Sequence, residues 1–146
     1  MKKTILFNLL FFFISCDNEP DSNITEWQKN KNIWDSYQME KYSFDFRANC
    51  FCVDEWVREV NVSVNKEVIT HIFFTDDSLK PTILTLNDWY SINNLFDIAK
   101  SSIGEAYKFE IEYDKKYGNP TMISIDWDSL TADDEIEFYT KNINQK

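Results

Sequence analysis

The sequence predicts an α+β domain of two layers, an antiparallel sheet of about six strands with helices packed on one face. The expected order is α-β-β-β-α-β-β-β. Three observations lead there. Apolar residues alternate with polar ones in several segments, the signature of strands with one wet face. Two other segments carry apolar residues at helical spacing. Short links separate consecutive strands, which favours antiparallel pairing.

Thr25 opens the first expected helix, because Thr25-Glu26-Trp27-Gln28 has the form of a capping box. Trp27, Trp34 and Tyr37 then recur on one face. From Tyr42 the period changes to two: Tyr42, Phe44, Phe46, Ala48, Cys50 and Cys52 share one parity, and Ser43, Asp45, Arg47 and Asn49 the other. Val60, Val62 and Val64 alternate with Asn61, Ser63 and Asn65, and Asn65-Lys66 is expected to turn the chain. Residues 68–75 are apolar on both parities, which predicts a central strand. The second helix is expected over 88–103, with Ile92, Leu95, Phe96, Ala99 and Ile103 as its stripe and Gly104 past its end. Tyr107, Phe109, Ile111 and Tyr113 mark a fourth strand. Gly118 frees the next turn; Ile123, Ile125 and Trp127 mark a fifth strand, and 135–143 reads as a sixth.

The amino terminus carries a different message. Lys2 and Lys3 precede an apolar run over 5–14, then Ser15 and Cys16. The run is far short of the roughly 20 residues that a bilayer requires, so it reads as a secretion leader. Phe13-Ile14-Ser15-Cys16 has lipobox form, which makes Cys16 the expected site of lipidation. The expected organisation is a leader over 1–15, a flexible acidic tether over 16–24 and one domain over 25–146. The implied location is the cell envelope, anchored to a membrane by lipid and facing the periplasm or the cell surface.

Charge narrows the partners. The chain of 146 residues has a formal charge of −10, and cleavage after Ser15 would remove Lys2 and Lys3 and leave −12. Such a surface repels phosphate backbones, which argues against nucleic acid. It suits an envelope protein with a basic surface. Removal of 1–15 from the 146 residues would leave 131, one domain's worth and enough for a real core.

Several segments together resemble a family of uncharacterised bacterial lipoproteins, domain of unknown function 6174. They are Tyr42-Ser-Phe-Asp-Phe leading into Cys50-Phe51-Cys52; Val60-Asn-Val-Ser-Val; Ile92-Asn-Asn-Leu-Phe-Asp; Tyr113-Asp114 with Tyr117-Gly118-Asn119-Pro120; and Ile125-Asp126 with Asp133-Asp134-Glu135. The resemblance spans nearly all of the expected mature chain. It implies no catalytic residues, since none is established for the family.

Two constellations could carry chemistry. Cys50 and Cys52 are the thiols left once Cys16 is acylated, and an oxidising compartment favours a disulfide between them. A straight strand would hold their α-carbons near the upper limit of about 6.8 Å, so a bend at Phe51 is required. A buried reduced pair, or a redox or metal site, are the other readings. The second constellation is the acidic run Asp126, Asp128, Asp133, Asp134 and Glu137. Asp126, Asp128, Asp134 and Glu137 fall at ligand positions one, three, nine and twelve of an EF-hand loop, which would suit Ca²⁺. Leu130 and Thr131 stand where that loop needs a ligand and a glycine, so a solvated acidic turn is the plainer reading. No cofactor is otherwise implied. His71 is the single histidine, set among apolar residues. The expectation is therefore a membrane-anchored binding module without catalysis of its own. The rival expectations are an inhibitor of a basic, lysozyme-like envelope hydrolase, and a Ca²⁺-dependent or thiol-redox protein.

Overall fold

The computed structural model describes residues 22–146; the expected leader over 1–15 and the expected lipidation site, Cys16, lie outside the described residues. Helix α1 spans Ser22–Ser36 and strand β1 Lys41–Asn49. A single helical turn, α2, covers Asp54–Val57. Strands β2 (Val60–Asn65) and β3 (Val68–Phe74) precede a 3-10 turn at Leu86–Asp88 and helix α3 (Ile92–Ser102). Strands β4 (Lys108–Tyr113), β5 (Pro120–Asp126) and β6 (Ile136–Gln145) complete the chain.

The six strands form one antiparallel sheet in the order β3-β2-β1-β6-β5-β4. Each half of the chain contributes a meander, and β1 and β6 join the halves at the centre. The α+β class and strand number match the expectation from the sequence.

One face of the sheet is the core. Tyr42, Phe44 and Phe46 of β1, Val60, Val62 and Val64 of β2, Ile123 and Ile125 of β5, and Phe138 of β6 are all buried. Helix α3 lays Ile92, Leu95, Phe96 and Ala99 on them, and α1 adds Trp27 and Trp34. The polar ends of these large rings are satisfied. Trp27 Nε1 donates to the Phe96 carbonyl at 2.8 Å, and Trp34 Nε1 to Asn93 Oδ1 at 3.1 Å. The Ile92 amide donates to the Tyr42 hydroxyl at 3.4 Å.

Several boundaries differ from the sequence pattern. Helix α1 is already helical at Ser22, ahead of Thr25 and inside the expected tether, because Ile24 packs against the core. Tyr37 lies beyond α1; its ring packs on Tyr117 and its hydroxyl donates to the Lys116 carbonyl. Strand β3 is an edge, not central. Its second apolar parity is explained by Phe73, which stacks with His71 on the other face and receives the Lys80 ammonium. The hairpin turns at Lys66-Glu67, since Asn65 still pairs with Val68. Both turn residues have positive φ, 48° and 65°, as a tight two-residue hairpin demands. Helix α3 begins at Ile92, not at 88. Asp88 instead closes its own capping box with Thr85, and Ser91 caps α3 with Asn94. Strand β5 stops at Asp126, leaving Trp127 outside it and 43% exposed. Strand β6 runs Ile136–Gln145 and so extends past 143.

Gly118 sets how closely α1 can approach the β4–β5 turn. Its φ is 74°, and a Cβ there would meet the Asn30 carbonyl oxygen at 2.5 Å and Ile33 Cβ at 2.9 Å. Gly118→Ala is therefore expected to cost about 2 kcal/mol or more, from left-handed strain plus the clash. A lowered urea midpoint would register it; an unchanged midpoint would mean that α1 shifts freely away from the turn.

Candidate functional site

The uncovered face of the sheet is polar and closely wired. Asp45 accepts from Asn61 at 2.8 Å and from Asn142 at 2.7 Å. Lys141 pairs with Glu59 at 2.7 Å. Glu137 accepts from Asn49 and from the Tyr139 hydroxyl, both at 2.8 Å, and Arg47 lies over the Tyr139 ring. The Asn49 and Tyr139 hydrogen bonds outweigh desolvation and hold the Glu137 carboxyl below its usual range. Glu137 is thus a structural member of the face.

At one end of this face the β5–β6 connection and the bend after β1 enclose a groove of about 370 Å³. Asn49, Phe51, Lys108, Asp126, Glu135 and Glu137 are among the residues lining it. Strand β5 delivers Asp126 opposite Lys108 of β4. The connection then folds back so that single carboxylate oxygens of Asp126, Asp134 and Glu135 lie within 4.8 Å of one another. Oxygens of Asp126 and Asp134 are buried there without a hydrogen-bond partner. Desolvation first, then the charges of Asp134 and Glu135, push the Asp126 carboxyl above its usual range. The groove is rimmed by Phe51, which is 88% exposed, and Leu130 at 92% belongs to the same β5–β6 connection.

The carboxylates brought together are not the four that EF-hand spacing selects. Asp126 and Asp134 meet, but Glu135 is the third member. Asp128 spends its oxygens on the Leu130 amide and the Thr131 hydroxyl, which shapes the connection itself. Its own amide donates to Asp134 at 2.9 Å. Glu137 is committed to Asn49 and Tyr139. An EF-hand wraps its ligands around a helical entry and exit, whereas here both flanks are strands and alternate residues face apart.

Cys50 and Cys52 are disulfide-bonded, with α-carbons 5.3 Å apart. Strand β1 ends at Asn49, and the chain bends at Phe51 so that the Cys52 amide donates to the Cys50 carbonyl at 2.9 Å. The bend that the spacing requires is therefore present. His71 is exposed on β3 and contacts Thr70 and Phe73.

Sequence reasoning misses Glu55. It sits on α2 directly after the disulfide bend and is only 8% exposed. Its carboxylate accepts from the Thr82, Ile83 and Leu84 amides at 2.7, 2.9 and 2.9 Å, and from the Thr82 hydroxyl at 3.0 Å. Trp56 adds a bond from its indole to the Asp88 carbonyl at 3.1 Å. No spacing rule flags a carboxylate whose partners are loop amides more than 25 residues away.

An open-faced α+β domain with an acidic groove is the class that fold and site define. The chain belongs to the family described as a family of unknown function, DUF6174, whose model matches residues 26–145. No curated protein and no solved structure matches the chain. Among the described residues, no helix is long and apolar enough to cross a membrane.

Two outcomes follow. Desolvation opposes ionisation of Glu55, but the amide bonds prevail and hold its carboxyl at about 2, against an ordinary 4.5. The stability it contributes is complete above the ordinary value and disappears as pH falls through the folded one. Glu55→Gln should lower the melting temperature by about 5 °C or more, speed amide exchange at 82–84, and flatten the acid limb of the stability profile. Asp126 has the opposite sign. Its raised carboxyl favours the fold when protonated, so that support is lost as pH rises through the raised value. Asp126→Asn should melt higher than the parent at pH 7, and the gap should close in acid; equal melting at every pH would mean that the three carboxylates do not repel.

Proposed function

We propose that this protein is an envelope lipoprotein that binds a basic protein partner through the acidic groove and has no catalysis of its own. Lys2, Lys3, the apolar run over 5–14 and Ser15-Cys16 support export and acylation at Cys16. Two or three acyl chains would hold it at the membrane, since one chain alone binds only marginally. The observation that carries the binding role is the convergence of Asp126, Asp134 and Glu135 within 4.8 Å. Asp126, whose ionisation is disfavoured in this cluster, is relieved when a cation is brought to it. An exposed aromatic ring at Phe51 beside the cluster supplies apolar area of the kind that anchors a protein contact.

A basic envelope-attacking hydrolase of the lysozyme kind is the sharper form of that partner. The same three carboxylates are also hard oxygen donors, which favours a Ca²⁺ site as the second reading. Calorimetry on the full-length protein separates the two. The partner reading expects lysozyme binding that weakens steeply from low to physiological salt. It also expects about a tenfold loss in the Asp126→Asn, Glu135→Gln double variant. Binding indifferent to both salt and these substitutions would overturn it, and heat released by Ca²⁺ alone would support the cation reading. Intact mass of the membrane-extracted protein should include acyl groups on Cys16.

A further inference from the structure

The two edges of the sheet are not alike. Edge strand β3 is flanked by its own connection: the 3-10 turn at Leu86–Asp88 packs against it, and the Phe74 amide donates to the Leu79 carbonyl at 2.9 Å. At the other edge, only β5 among the described residues supplies hydrogen bonds to the backbone of β4. The outward row of β4 amides and carbonyls is a template for another strand.

Side chains on β4 show the same want of a neighbour. Phe109, Ile111 and Tyr113 share the core-facing parity yet are only half-buried, whereas Phe44 and Val62 in the middle of the sheet are fully buried. Tyr107, just ahead of the strand, is 67% exposed. The opposite parity is Lys108, Glu110 and Glu112, all exposed. Lys108 and Glu110 pair along the strand at 3.1 Å, an exposed contact that is readily exchanged for another.

Charge along β4 decides what fits this edge. Antiparallel pairing with a second β4, about a two-fold axis at Phe109, sets Lys108 opposite the partner's Glu110, twice over. Phe109 then meets its own copy, and Tyr107 meets the partner's Ile111. A slip of two residues opposes Glu110 to Glu110 in one direction and Lys108 to Lys108 in the other. A slip of one sets Phe109 against Glu110 or Lys108. One register alone is therefore complementary in both charge and apolar face. In it the Asp126 carboxylates of the two copies stand three strand spacings apart, roughly 14 Å, beyond the Debye length of about 8 Å, so the acidic grooves are screened from each other.

We propose that β4 pairs edge to edge with β4 of a second copy, Phe109 on Phe109, so that the two sheets run into one with their helices on the same face. The pairing rests on β4 and depends neither on acylation nor on what the acidic groove binds.

Full-length protein in a mild detergent, brought to sedimentation equilibrium over a concentration series, should show monomer and dimer in exchange. Lys108→Glu and Glu110→Lys should each weaken the dimer about tenfold, because each opposes like charges at both cross-strand pairs. An equimolar mixture of the two variants should recover the parent's affinity, since every pair between them is again opposite in sign. Phe109→Cys should oxidise to a linked dimer on a non-reducing gel, while the parent and Ile111→Cys run as monomers, because only position 109 lies opposite itself. A parent that stays monomeric at every concentration overturns the proposal. So do charge variants that dimerise like the parent, a mixture that does not recover, or equal cross-linking through Ile111→Cys. Should Phe109→Cys not fold, the charge variants, both at exposed positions, still decide the matter.

Discussion

One carboxylate holds the long connection between the two halves of this protein. The chain from β3 to α3 has little regular structure, and its backbone amides need partners as much as any strand's do. Glu55 takes three consecutive ones, at 82, 83 and 84. It can do so because α2 is a single turn placed directly after the disulfide bend, against β1. The bend, the turn and the connection therefore form one structural unit. That unit covers the edge of β3 and leads the chain into the Ser91 cap of α3. A three-residue disulfide loop removes little entropy from the unfolded chain. The Cys50–Cys52 bond matters here mainly because of where it ends β1 and starts α2.

The two faces of the sheet divide the labour. On the covered face, large rings interlock, and the polar tips of Trp27, Trp34 and Tyr42 are matched, while those of Trp89 and Tyr113 are not. On the open face, side chains of both signs pair across strands, and few are idle. The acidic groove breaks that pattern, because Asp126, Asp134 and Glu135 are gathered with too few donors between them. Such local disagreement with the rest of the surface is where a protein's binding is ordinarily found.

Much of the fold is legible in the sequence because period carries it. Strict alternation in 42–48 and 60–64 leaves one assignment for β1 and β2, and the stripe from Ile92 to Ala99 leaves one for α3. Where period is silent, the reading slips. Residues 68–74 look central because both parities are apolar, yet Phe73 is covered by His71 and Lys80 side chains and not by another layer. Asp88 looks like the start of α3, but its carboxylate is taken by Thr85. The acidic run is visible as composition, whereas the choice of Glu135 over Asp128 depends on how the connection folds back.

By itself the sequence determined the class, the strand count, the apolar face and the likeness to a family, since each depends on local period and residue type. It also placed the cysteines where a bend could join them. Tertiary structure alone decided the strand order, the edge position of β3, the pairing of Glu55 with the connection and the membership of the acidic groove. These depend on contacts between residues far apart in the chain, and no local pattern encodes which distant backbone amide will meet which carboxylate.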